Sequence, residues 1–364
     1  MKRIITIVLS LVLVISMLAA CGQGSNVTPD ETPGQNDANG GGNTTDGNQD
    51  GAVTGDALKT GLAVISSIGK STDAGEKDGL AQVDSTVVAV TVDAEGRITN
   101  CKIDAAQTKI NFSAAGKITT PLDSVIKTKQ ELKTDYGMGK VSSIKKEWNE
   151  QADAFAAYVT GKTLDEVKGI TIDEAGVPTV SELTSSVTMH VSDLITAIEK
   201  AVNNAQALGA KAGDKLGLGI VTTINKSTDA TAEKEGLAQA YSMYTATTFG
   251  SDGKITSSTI DASQSNVNFD TSGKVTTDLE AAKLQTKNEL GDAYGMRKAS
   301  AIQKEWNEQA AAFAEYVVGK SADEVKGIAI NEEGVPTEAE LTSSVTVHVT
   351  DFLTIIDKAA QDAK

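Results

Sequence analysis

Apolar and polar positions along the chain change period in the same order twice. Val87 to Val92 and Ile98 to Ile103 alternate or run apolar, with Asp93-Ala94-Glu95-Gly96 between them. That pattern predicts a β-hairpin closed by a glycine turn, and Ser251-Asp252-Gly253 stands at the same turn in the second half. Ile110 to Phe112 and Ile118, around Gly116, predict a further strand pair. From Val141 to Tyr158 the period lengthens. Ile144, Trp148, Ala152, Phe155 and Val159 are spaced by three or four, as on one face of a helix, and Gly161 ends it. A short helix around Leu164 to Val167, a turn at Gly176-Val177-Pro178 and a short strand over Val187, Met189 and Val191 are expected next. Ser192 then caps a last helix, with Asp193 in its first turn and Leu194, Ile195, Ile198 and Val202 along one face. Thr350 and Asp351 repeat that cap. Gly217-Leu218-Gly219 reads as strand. The fold class predicted is α+β, an antiparallel sheet packed with helices.

The periodicity repeats because the sequence does. Lys70-Ser71-Thr72-Asp73 returns as Lys226-Ser227-Thr228-Asp229, and Gly79-Leu80-Ala81-Gln82 as Gly236-Leu237-Ala238-Gln239. Tyr136-Gly137-Met138 returns as Tyr294-Gly295-Met296, and Lys146-Glu147-Trp148-Asn149-Glu150-Gln151 as Lys304-Glu305-Trp306-Asn307-Glu308-Gln309. Leu183-Thr184-Ser185-Ser186-Val187-Thr188 returns as Leu341-Thr342-Ser343-Ser344-Val345-Thr346. A period this long marks tandem domains rather than a solenoid. The domains are placed at 55–207 and 212–364, with separate cores and a hinge around Gly209 to Gly213.

What precedes them is different. Lys2 and Arg3 start an apolar run from Ile4 to Met17, closed by Leu18-Ala19-Ala20-Cys21. This has the shape of a secretory signal, residues 1–20, too short for a permanent membrane span. Cysteine after Leu-Ala-Ala resembles the bacterial lipobox, which implies that Cys21 carries the lipid, palmitate included, and anchors the mature chain on the outer face of the cytoplasmic membrane. Residues 21–54 are Gly, Asn, Asp, Thr and Pro with almost nothing apolar. Such a segment is expected to be a disordered tether, spanning roughly 30 Å as a coil of about 30 residues.

Composition narrows the chemistry. The formal net charge is −16, which argues against nucleic acid, whose binding needs clustered Lys and Arg. Cysteines number two; once Cys21 is lipidated, Cys101 has no partner and reads as a packing residue. The two histidines, His190 and His348, share one repeat position. No HExxH, CxxC, nucleophile elbow or Walker loop is present, so no catalytic residue and no metal ligand set is expected.

Glu182-Leu183-Thr184-Ser185-Ser186-Val187-Thr188 has the shape Asp-x-x-Ser-Gly-Ala-Thr followed by an amphipathic helix. In that respect, and in the hairpin upstream, each repeat resembles the FMN-binding domain family of the sodium-translocating quinone reductase and the Rnf complex. Glu182 and Glu340 stand for the aspartate, Ser186 and Ser344 for the glycine, Val187 and Val345 for the alanine. The lipobox, tether and paired domains are similar to the pheromone-encoding flavinylated lipoproteins of Gram-positive extracellular electron transfer. The resemblance implies one covalent FMN per domain, joined by a threonyl phosphoester at Thr188 and Thr346 by a flavin transferase. It also implies a membrane NADH dehydrogenase or the quinone pool as donor, and ferric iron or free flavins as acceptors. A helix N-terminus shortly after each threonine suits a phosphodiester anion, with Ser185, Ser186, Ser343 and Ser344 as further donors. Tyr136, Tyr294, Trp148 and Trp306 are candidates for the flat apolar neighbour that a flavin ring needs. The rival expectation is a non-redox surface lipoprotein that binds a small ligand or cell-envelope component.

Overall fold

The computed structural model describes residues 56–363. The expected signal segment 1–20, Cys21 and the tether to residue 54 lie outside the described residues. Among the described residues no helix is long and apolar enough to cross a membrane.

Each repeat is a three-stranded antiparallel sheet with helices on one face. The first sheet is β1 (Lys59–Ser67), β2 (Gly79–Val92) and β3 (Ile98–Phe112) in that order. Four helices follow: α1 (Lys129–Leu132), α2 (Trp148–Val159), α3 (Leu164–Lys168) and α4 (Ser192–Asn203). The second repeat has β4 (Lys215–Thr223), β5 (Gly236–Phe249) and β6 (Ile255–Phe269). Its helices are α5 (Lys287–Leu290), α6 (Trp306–Tyr316), α7 (Ala322–Lys326), α8 (Ala339–Thr342) and α9 (Thr350–Asp362). The α+β expectation holds at this level.

The β2–β3 hairpin turns where expected. Gly96 has φ 79°, and Asp93 Oδ1 accepts hydrogen bonds from the Glu95 and Arg97 amides at 3.1 and 2.7 Å. Both strands run further than the apolar runs, because both faces are covered. Val88, Val90 and Val92 point to the helix side and pack with Phe155, Leu194 and Ile198. The alternate residues Ala81 and Val83 pack against Ala238, Ala240, Val267 and Phe269 of the second repeat, and Val87 and Ala89 against Leu216, Leu218 and Tyr244. Period-two alternation delivers one set of side chains to each face. Ile110 to Phe112 closes β3 rather than forming a new strand, and Ile118 makes an isolated bridge to Phe112.

The expectation of separate cores with a hinge is therefore corrected. The two sheets lie face to face, share apolar clusters and fold as one compact unit. Phe112 and Phe269 stack at 4.2 Å with their planes 6° apart. Contacts across this seam come in reciprocal pairs. Lys358 bridges Glu131 and Lys200 bridges Glu289, each at 2.6 Å. Asp229 accepts from the Ile118 amide and Asp73 from the Val275 amide, each at 2.8 Å. Reciprocity of this kind is the mark of a two-fold arrangement. The connection around Gly209 is no hinge either. The Leu58 amide donates to the Ala210 carbonyl at 2.9 Å and the Thr60 amide to that of Gln206 at 2.8 Å, so the linker is stitched along the first strand.

Three smaller expectations are also corrected. The helix begins at Trp148, not Val141, because Glu147 and Glu150 form a reciprocal capping box there that defines the first turn. Val187, Met189 and Val191 are buried in alternation, but no strand lies alongside and the segment is irregular. Ser192 is the first residue of α4 rather than its cap; the cap position is Val191, without a side-chain bond. Gly217 and Gly219 are strand, as expected, and their lack of a side chain has a cause. A Cβ at either would collide with the carbonyl oxygens of Ala359 or Ile355 in α9, so the helix lies directly on β4.

Candidate functional site

The starts of three helices meet in the second repeat. α5 opens with a capping box between Thr286 and Glu289, which sets Lys287 at the first helical position. α6 opens at Glu305 and Glu308 in the same manner, which sets Trp306. α9 begins with Thr350 and Asp351. Together with Tyr241 and Met243 of β5 they surround a cavity of about 580 Å³. Tyr294, Met296, Thr346, His348 and Lys226 are also on its wall. Small-molecule sites fall in the range of roughly 300–1,000 Å³.

Thr346 is held from behind. Gln309, fully buried on α6, accepts hydrogen bonds through Oε1 from the Thr346 amide at 2.8 Å and hydroxyl at 3.2 Å. Its Nε2 donates to Ser300 Oγ at 3.2 Å and to the Lys304 carbonyl at 3.1 Å. The first repeat copies this. Gln151 Oε1 accepts from the Thr188 amide at 2.8 Å, its hydroxyl at 3.3 Å and the Met189 amide at 3.2 Å. Sequence reasoning missed these glutamines. The signal was there in the recurrence of Lys-Glu-Trp-Asn-Glu-Gln, whose last residue reaches across to the threonine. The first glutamate of that segment is also engaged. Glu305 accepts from the amides of Met296 and Arg297, each at 2.8 Å, and so ties the Tyr-Gly-Met turn to α6.

Lys287 is the other finding that residue-type reasoning missed. It is 4% exposed, and its Nζ lies 4.7, 4.6 and 4.7 Å from the ring centres of Tyr241, Tyr294 and Trp306. Nζ also donates to the Tyr241 hydroxyl at 2.9 Å. Among the described residues no carboxylate is within ion-pair distance of it. Burial pulls its pKa down to about 8, partly opposed by Asp261. A buried cation without a counter-ion is costly, and the cation–π contacts supply part of the compensation. Burial likewise pushes the Tyr241 phenol up, with Tyr294 and Asp351 adding to the shift.

The expected residues divide. Thr346, Tyr294 and Trp306 share the cavity, and Trp306 also packs in the core, edge-on to Phe352 at 5.8 Å. In the first repeat Lys129 Nζ sits 4.7 Å from the ring centre of Tyr136 and 5.1 Å from that of Trp148, which reproduces part of the arrangement. Ser343 and Ser344 do not line the cavity. Ser344 and Ser186 donate to the carbonyls of Leu341 and Leu183 at 3.2 Å, while Ser185 and Ser343 are exposed. Thr350 and Asp351, at the helix start, do line it. Burial raises the Asp351 carboxyl, and His348 opposes that. Among the described residues no cluster of three or more His, Cys, Asp or Glu could hold a metal. Cys101 is buried, and burial pushes its thiol up to about 12, which leaves it unreactive.

A hydroxyl on the wall, three aromatic rings, two lysines (Lys226 and Lys287) against one carboxylate (Asp351), and a helix start suit a planar ligand that carries negative charge. No protein-family model, curated protein or solved structure matches the chain.

Proposed function

We propose that the protein is a lipid-anchored electron carrier of the cell surface, with one FMN-binding-like repeat per cofactor and FMN esterified to Thr188 and Thr346. A flavin transferase attaches the groups. A membrane NADH dehydrogenase or the quinone pool supplies electrons, and ferric iron or free flavins outside the cell receive them. Cys21 carries the lipid. The observation that supports this most is the convergence of Thr346, Tyr294, Trp306 and Lys287 on one cavity, because the threonine came from a motif and the rings from a separate repeat match.

The division of labour follows from the residues. Gln309 and Gln151 orient the threonines. The α9 start, with its free amides and positive dipole end, faces a phosphate. Tyr294 and Trp306 flank a ring, and Lys287 supplies positive charge beside it. FMN, when attached, supplies the redox chemistry. An ester link keeps the group from being lost outside the cell.

Coexpression with an active flavin transferase tests this by intact mass. Two FMN-sized increments are expected. Thr188→Ala should remove one, Thr346→Ala the other, and the double variant both. A colourless, unmodified wild type would overturn the carrier function. The non-redox surface lipoprotein would then stand in its place, with Lys287 and its rings as the receptor for a small anionic ligand.

A further inference from the structure

The two repeats present different charges at matching positions. Tyr241 on β5 pairs with Thr223 on β4 and Gln264 on β6. Asp84 holds the same place in the first sheet, paired with Ser67 on β1 and Gln107 on β3. Tyr241 is the third ring around Lys287. Without a ring there, Lys129 has two aromatic neighbours and is half-buried rather than sealed.

Asp84 is set among counterparts of cavity residues. Lys70 Nζ donates to it at 3.0 Å, and Lys226, the equivalent of Lys70, lines the cavity of the second repeat. Gln107 Nε2 donates to it at 2.9 Å; the equivalent Gln264 accepts from the Tyr294 hydroxyl at 3.2 Å. Gln82 Nε2 adds a bond at 2.9 Å. Burial opposes ionisation of Asp84, but the hydrogen bonds from Gln107, Gln82 and Lys70 outweigh it and hold the carboxyl below its ordinary range. Among the positions that line the cavity, the other charged or titratable groups match across the repeats: Lys70 with Lys226, Lys129 with Lys287, Tyr136 with Tyr294, His190 with His348, Asp193 with Asp351. In formal charge the two sites differ by one carboxylate.

We propose that repeat 2 accommodates negative charge on a bound ring better than repeat 1, so that the flavin on Thr346 has the higher reduction potential and collects electrons that enter through repeat 1. This rests on the flavin assignment above. Two electrons and one proton added to a neutral oxidised ring leave one net negative charge, and the membrane donor supplies the electrons. A carboxylate beside the ring disfavours that charge, whereas Lys287 in a low-dielectric cage favours it. Electrons then have a downhill order, first repeat to second, within one molecule.

The test uses the full chain coexpressed with a flavin transferase. Thr346→Ala leaves the first site loaded and Thr188→Ala the second, and intact mass verifies one increment in each. Electrode titration followed by absorbance then gives each potential. The second site should be the higher, with at least a tenfold difference in reduced-to-oxidised ratio at common poise, about 30 mV for a two-electron couple. Asp84→Asn, close in size, should raise the first site toward the second. Tyr241→Asp should lower the second, while Tyr241→Phe, which keeps the ring and adds no charge, should preserve the order. Equal or reversed potentials with both sites loaded would overturn the inference alone, as would an Asp84→Asn variant whose potential does not move. Absence of both mass increments would overturn the flavin assignment and this inference with it.

Discussion

Truncating Phe112 should lower the unfolding midpoint of both repeats together. Its ring is fully buried and stacked on Phe269 at 4.2 Å, in a cluster that draws on both sheets. Phe→Ala in a core costs about 3–5 kcal/mol, of which about 0.5–1.5 kcal/mol belongs to the aromatic pair. A folded unit has about 5–15 kcal/mol to lose, so the variant remains folded in buffer but moves far. With a urea m-value of about 3 kcal/mol/M, the midpoint should fall by about 1 M or more. The chain carries its own reporters, because Trp148 lies in the first repeat and Trp306 in the second. Trp148→Phe and Trp306→Phe backgrounds leave one tryptophan each, and fluorescence then follows one repeat at a time. Phe112→Ala sits in the first repeat, yet the Trp306 signal should shift by as much as the Trp148 signal. If the Trp148 midpoint falls while that of Trp306 stays, the repeats are energetically separate and the shared core contributes nothing to cooperativity.

Gln309→Ala leaves the Thr346 amide without its acceptor, which should cost about 1–3 kcal/mol and reduce flavin loading at Thr346 but not at Thr188. Full loading and unchanged stability would show that Gln309 does not position the threonine. Burial raises the carboxyls of Asp104 and Asp261, to about 7 and about 6, against hydrogen bonds from Thr128 and Thr286 and from backbone amides. The folded form therefore holds protons that the unfolded chain has released, and stability should fall as pH rises from about 4 to 7. Asp104→Asn with Asp261→Asn should remove most of that fall, which totals on the order of several kcal/mol across the window; parallel profiles would refute it. Cys21→Ser should shift the protein from the membrane fraction to the medium or leave it unprocessed, and unchanged membrane partitioning would exclude the lipid anchor.

The hairpin at Asp93 to Gly96, the helix over Trp148 to Val159 and the last helix of each repeat were legible because each is a local pattern. Turn glycines and three-to-four spacing carry their own geometry. What was not legible is relational. Val87 and Ala89 look like ordinary members of an apolar run, and nothing in that run tells that the second face is covered by another copy of the same sheet. Val187 to Val191 alternates as a strand does, but a strand needs a neighbour, and burial alone produced the alternation. In the site, Thr346, Tyr294 and Trp306 were legible as matched pairs. Lys287 was not, since its first-repeat counterpart Lys129 follows a threonine and precedes a polar residue like any surface lysine. Only the folded wall of rings distinguishes the two.

The reciprocal seam also changes what the halves are free to become. Two identical subunits meeting on a two-fold axis must accept every substitution on both sides of the axis at once. Here the halves are encoded separately and joined by the stretch from Gln206 to Asp214, so their encounter is intramolecular and does not depend on protein concentration. Lys358 and Glu131, with Lys200 and Glu289, keep the seam alike on both sides. A carboxylate in one half and a phenol in the other, at a single register position, is a divergence that a symmetric dimer has no means to hold.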